Sequence, residues 1–180
     1  MRLNRYNTGL VIVDIQGKLA SLVHGSEAMI SQTVKLVQAA KLLDLPMVFL
    51  EQLPEKLGST IPELQAHLGD IPAIEKSTFD GCGSEEFLQA IDAASVDNWL
   101  VCGIEAHICV YQTAISLKER EFGVELVQDC VSSRTLENKQ FALTKLNQLG
   151  IGLTSFEMCL YELIKDANDP VFKQVLPLVK

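Results

Sequence analysis

Three residues in this chain have side chains that together can attack a carbonyl: Asp14 in LVIVDIQGKL, Lys76 in IEKSTFDG and Cys109 in LVCGIEAHICVYQTA. Asp14 ends an apolar run, where an unpaired carboxylate is expensive, so its site must supply hydrogen bonds, a cation or a raised pKa. Each of these suits a general base. Cys109 falls in the predicted first turn of a helix, where free N–H groups and the dipole favour a thiolate and can draw its pKa below the ordinary value of about 8.5. Lys76 closes a short predicted strand, and its long side chain can pair with Asp14 and stabilise a thiolate or a developing oxyanion.

The elements that must position these residues alternate. Apolar runs predict strands at residues 9–15, 47–51, 73–76, 98–103, 124–129 and 151–155. Between and around them lie helical patterns at about 27–43, at 84–94 with Ser84 as cap, at 108–121, and from Ser133 to Gly150. A loop with Pro54, Gly58 and Pro62 spans 52–72, and the tail from Asp166 to Lys180 reads as a short helix ended by Pro177. Its apolar residues Val171, Phe172, Val175, Leu176 and Leu178 can cover the core or a partner subunit. The strands are apolar almost continuously, which predicts an α/β fold: a doubly wound six-stranded parallel sheet, order 3-2-1-4-5-6, with helices on both faces. Ligands bind such sheets beyond the carboxyl ends of the strands where the order reverses, between strands one and four. Asp14 and Cys109 then flank one crevice.

The totals restrict the partners. With 180 residues and 48% hydrophobic content, one domain over 1–180 with one core is expected. Fifteen basic residues are scattered against 23 acidic ones, for a net charge of −8, which argues against a nucleic-acid partner and for a small-molecule substrate. Five cysteines form no CxxC pair and leave one over, so no zinc ribbon or disulfide framework is indicated and a cytoplasmic setting fits. No stretch approaches about 18 apolar residues, so no membrane span is expected.

The order Asp14, Lys76, Cys109 at three successive strand ends resembles the isochorismatase-like cysteine hydrolases, a group that includes nicotinamidases and carbamoylsarcosine amidohydrolases. The resemblance covers essentially the whole chain, and GIEAHICV with Glu51-Gln52 is most similar to the isochorismatase-domain-containing branch. It implies a triad in which Asp14 takes the proton from Cys109 and Lys76 supports both charges, followed by thiolate attack on an amide-type carbonyl and an acyl-enzyme. It also implies a non-proline cis peptide joining Glu105 and Ala106, an oxyanion hole from the backbone N–H groups of Ala106 and Cys109, and a homo-oligomer. Nicotinamidases of the family bind a metal through an aspartate and histidines after strand two. Here that region reads EQLPEKLGSTIPEL, so no metal and no other cofactor is expected and nicotinamide is disfavoured. Siderophore-pathway isochorismatases carry a non-nucleophilic residue where this chain has Cys109, which argues against vinyl-ether cleavage.

Gln16, Gln52 and Phe79 are expected to line the substrate pocket. His107, two residues from Cys109, cannot face it from one helix and is expected at the pocket mouth. His24 and His67 fall in polar loops. Gly81-Cys82-Gly83 lacks a dinucleotide fingerprint's third glycine and is followed by Glu85-Glu86, which repels phosphate. Cys102, Cys82 and Cys130 read as structural. Two other readings of the same chain are a non-catalytic scaffold or binding protein, and a thiol redox sensor centred on Cys109, which needs a resolving thiol within a Cα separation of about 7 Å.

Overall fold

The computed structural model describes residues 2–180. Six strands, β1 (Thr8–Val13), β2 (Met47–Gln52), β3 (Ala73–Lys76), β4 (Asn98–Ile104), β5 (Gly123–Ser132) and β6 (Gly152–Thr154), form one sheet in the order β3-β2-β1-β4-β5-β6. All neighbouring pairs run parallel. This is the expected order, with its reversal between β1 and β4.

The near-continuous apolarity of the strands has its cause in the two layers that cover them. Along β1, Leu10 and Ile12 point into one core with Leu36 and Val37 of α2 (Ser26–Leu42), Leu160 and Leu163 of α8 (Phe156–Ile164) and Val175 of α9 (Phe172–Val179). Val11 and Val13 point the other way, against Phe87 and Ile91 of α5 (Glu85–Ala93), Val110 and Leu117 of α6 (Cys109–Glu119) and Leu146 of α7 (Leu136–Gln148). Alternate side chains therefore meet a helical layer on each face, so neither face of the strand has a polar set.

Local signals set most boundaries. Ser84 accepts from Phe87 N–H and caps α5 as expected, whereas α7 is capped by Thr135, not started at Ser133. The reason is that β5 runs on through Cys130, Val131 and Ser132, buried residues that extend the ladder to Ile104 past an irregularity between Val101 and Gly103. The 52–72 loop holds two short helices, α3 (Pro54–Leu57) and α4 (Pro62–Leu68), each with proline at its start, and α1 (Gly17–Leu22) follows β1. No element was expected at α8, although Phe156, Cys159, Leu160, Leu163 and Ile164 are buried at helical spacing behind the Ser155 cap. Pro177 lies inside α9 and does not end it. Val171 and Val175 are buried in the chain's own core, so the tail covers that core.

Two glycines make the site's backbone possible. Gly103, at φ +124°, would place a Cβ 2.0 Å from the Val13 carbonyl oxygen, so β4 can lie this close to β1 only without a side chain there. Gly17, at φ +41°, would place one 2.2 Å from the Leu57 carbonyl oxygen, where α3 closes over the start of α1.

Candidate active site

At the carboxyl end of β1 the chain turns sharply. Asp14 adopts φ +50°, a left-handed conformation that aspartate tolerates better than most residues, while its N–H still donates to the Leu50 carbonyl at 3.2 Å. The side chain is 4% exposed, and Oδ2 accepts from Lys76 Nζ at 2.7 Å. Lys76 is the last residue of β3, in register with Gln52 at the end of β2, and reaches across that strand. Its ammonium also donates to Gln52 Oε1 at 2.7 Å and to the Thr78 carbonyl at 3.1 Å. All three ammonium donors are thus engaged. Lys76 holds the charge of Asp14 and has no donor left for an oxyanion.

Cys109 is the first residue of α6, buried, and on the other side of the crevice. Its thiol is close enough to interact with the Asp14 carboxyl. Asp14 Oδ1 makes no hydrogen bond, which leaves a free acceptor on a carboxyl that lines the same cavity as Cys109. Catalytic contacts in unliganded sites are commonly this loose. The sequence brings these three residues from positions 14, 76 and 109 to one crevice, at the point where the strand order reverses.

The electrostatics correct one expectation. The Cys109 thiol is pushed up to about 12, not down, chiefly by burial and then by the Asp14 charge, with Lys76 opposing. Burial at the crevice floor outweighs the helix N-terminus. Burial also raises the Asp14 carboxyl from its ordinary value, with Lys76 pulling it back. The resting pair is a neutral thiol beside a carboxylate whose proton affinity is enhanced.

Three further expectations change. The cis peptide joins Ile104 and Glu105, one bond earlier than Glu105–Ala106, where β4 gives way to the turn into α6. The Ala106 N–H donates to the Ser132 carbonyl at 2.8 Å, because β5 extends beside this turn, so it is not free for an oxyanion hole. Ile108 and Val110 N–H both donate to the Glu105 carbonyl, whereas Cys109 N–H has no backbone acceptor among the described residues. His107 is absent from the pocket mouth: its Nδ1 meets Ser133 Oγ at 2.9 Å and its ring lines a separate small cavity with Tyr111, Phe141 and Lys145.

The cavity over the thiol has a volume of about 110 Å³. Gln16, Gln52 and Phe79 are among the residues that line it, with Phe79 exposed at its rim. Gln16 is a clamp: its Oε1 accepts from Gln52 N–H at 2.6 Å, and its Nε2 donates to the Gln52 and Gly58 carbonyls. Leu19, Leu57, Ile104 and Ile108 also line the space, none of them singled out from the sequence, and so does Glu105, named there for the cis peptide and not for the pocket. Glu105 could have been, as a carboxylate in GIEAHIC directly after an apolar strand. Its Oε1 accepts from Arg134 N–H at 2.9 Å and Nε at 3.1 Å. Glu51, buried at the end of β2, accepts from Thr60 N–H at 2.6 Å and Oγ1 at 2.7 Å and so ties the 53–61 segment over the site. A larger groove of about 660 Å³ lies among Arg5, Tyr6, Asp44 and Asp169, at the opposite end of the sheet from Cys109, so size does not mark the site. Among the described residues no three His, Cys, Asp or Glu side chains converge to hold a metal, and no helix is long and apolar enough to cross a membrane.

Comparison with known proteins identifies the family and the fold. The family model described as Isochorismatase domain matches residues 8–158. The secreted isochorismatase effector Isc1 of Phytophthora sojae is 34% identical, over 99% of this chain and 87% of its own length. Isochorismatase domain-containing protein 2 of Danio rerio is 33% identical, over 99% and 89%. The solved structure of MAR1 ribonuclease from Caenorhabditis elegans superposes with a TM-score of 0.94 at 34% identity, covering 99% of this chain and 92% of that one. The chain belongs to the isochorismatase-domain family.

Proposed function

We propose that this protein hydrolyses a small amide or related carbonyl compound, with Cys109 as nucleophile, Asp14 as general base and Lys76 as the group that positions and charges Asp14. The observation that carries this reading is the division of labour at Asp14: Oδ2 is fixed by Lys76, while Oδ1 has no partner and its carboxyl shares the cavity with Cys109. The substrate carbonyl carbon occupies the cavity above Sγ. As the Sγ–C bond forms, the thiol proton passes to Asp14 Oδ1, so the thiolate need not exist at rest. The carbonyl π pair moves to oxygen, and the Cys109 N–H, which has no backbone acceptor among the described residues, is the donor assigned to that oxyanion in this reading. Collapse breaks the C–N bond, and the amine leaves with the proton held on Asp14. Water then attacks the thioester, giving its proton to Asp14, and the thiol leaves re-protonated. None of these steps calls on a metal.

Mass spectrometry of the intact protein during turnover of a panel of small amides tests this. An acyl mass on Cys109, absent in Cys109→Ala and in Asp14→Asn, is expected. No adduct and no turnover anywhere in the panel would refute the proposal.

The ribonuclease activity named for the nematode relative fits this chain less well, because a net charge of −8 and a small, acid-flanked cavity oppose a polyanion. A redox-sensor role has no disulfide to support it, since all five cysteines are free thiols. Self-association belongs to the proposal; with the tail on its own core, its support is the exposed side chains of Phe141, Met158 and Tyr161. A cytoplasmic setting is likewise part of the proposal, supported by five free cysteines.

A further inference from the structure

The charges around the thiol do not balance. Asp14 and Glu105 line the cavity with Cys109, and Glu51 lies near Asp14, all buried at 4%, 6% and 6% exposure for Asp14, Glu105 and Glu51, and Lys76 is the cation buried with them. Glu51 is held by the neutral N–H and hydroxyl of Thr60. Glu105 pairs with Arg134, whose side chain is 59% exposed and therefore screened by solvent. The imbalance is felt at the reacting groups: Glu51 raises the Asp14 carboxyl and Glu105 raises the Cys109 thiol.

The cavity wall offers a substrate anion no compensating cation. Its lining is Asp14, Gln16, Leu19, Gln52, Leu57, Phe79, Ile104, Glu105, Ile108 and Cys109, with no lysine, arginine or histidine. The three donors of Lys76 are all engaged, and Gln16 uses its amide on backbone carbonyls. A substrate carboxylate entering this space would lose its water, gain no cation and meet two like charges. An uncharged acyl group meets Leu19, Leu57, Ile104 and Ile108. The volume of about 110 Å³ is well below the roughly 300–1,000 Å³ of pockets for drug-sized ligands.

From this arrangement we infer that the site selects small uncharged carbonyl compounds and rejects carboxylates, with Glu105 as the residue that enforces the choice. The inference rests on Cys109 being the nucleophile. Two reagents of matched size isolate the charge: iodoacetamide and iodoacetate both alkylate a thiol with loss of iodide, and differ in one negative charge. Rates of modification at Cys109, located by peptide mass spectrometry, are divided by each reagent's rate with 2-mercaptoethanol at the same pH. Any change in thiol acidity then cancels in the ratio. The expected normalised preference for iodoacetamide is about tenfold or more. Glu105→Gln is expected to narrow it at least about threefold, and Arg134→Gln to widen it. Thermal melting checks that both variants are folded. Equal normalised rates in the unaltered protein, or a preference untouched by both substitutions, would overturn the inference while leaving the nucleophile in place. Failure of both reagents to modify Cys109 would instead remove the reading on which it rests, and the inference with it.

Discussion

Replacing Lys76 by methionine isolates the buried ion pair at the centre of the site. Methionine is of similar length and apolar, so the cavity stays filled while three hydrogen bonds and one charge disappear. Both partners of the pair are buried, at 1% and 4% side-chain exposure, and removing one leaves an uncompensated carboxylate. Breaking a buried pair in this way costs about 3–5 kcal/mol, or on the order of 10 °C in Tm for a domain of this size. The cost depends on pH. Folded Asp14 already holds its proton more tightly than in the unfolded chain, because burial outweighs Lys76. Such a group contributes its stability in full below the unfolded value near 3.9 and loses it as pH rises through the higher folded value. Without Lys76 the folded value moves further up, so the loss becomes larger and extends to higher pH. Urea unfolding of both proteins at pH 5 and pH 8 should therefore show a small difference at pH 5 and most of the destabilisation at pH 8. Adding Asp14→Asn to Lys76→Met should recover at least about 1 kcal/mol at pH 8, since no buried charge remains. A loss of equal size at both pH values, or a double variant no more stable than Lys76→Met, would refute the pairing argument.

Three other outcomes follow from the same geometry. Activity should fall as pH drops through the raised value of Asp14, while thiolate absorbance near 240 nm shows no Cys109 step around 8.5, because the thiol is pushed up to about 12; a thiolate step between pH 7 and 9 that is lost in Cys109→Ala would contradict this. Glu51→Ala should leave Thr60 N–H and Oγ1 buried without their acceptor, costing about 1–3 kcal/mol and raising KM through a loosened 53–61 segment, whereas Glu51→Gln, which keeps an oxygen there, should cost less; proteolysis and steady-state kinetics distinguish the two. Gly103→Ala places a Cβ 2.0 Å from the Val13 carbonyl at φ +124° and should destabilise the fold by more than about 3 kcal/mol in a thermal melt.

The sequence by itself determined the frame of this protein. Strands buried on both faces, such as Leu10–Val13 and Trp99–Ile104, must be apolar at every position, so they are legible as continuous runs, and their alternation with amphipathic helices specifies a parallel sheet with the observed order. Asp14, Lys76 and Cys109 stand out because charged or nucleophilic residues at the ends of such runs are costly to keep without a reason. What the sequence left undecided depends on neighbours that are distant along the chain. Ala106 loses its N–H because β5 continues to Ser132, 26 residues away, and His107 turns to Ser133 for the same reason of proximity. The thiol is raised, not lowered, because burial is a property of the packed crevice and exceeds the local pull of one helix end. Glu51 and Glu105 stand at the ends of apolar runs in one dimension, but only packing shows that both are buried charges at the site. Local pattern reports which residues must be inside, and tertiary structure alone fixes what each polar atom finds there.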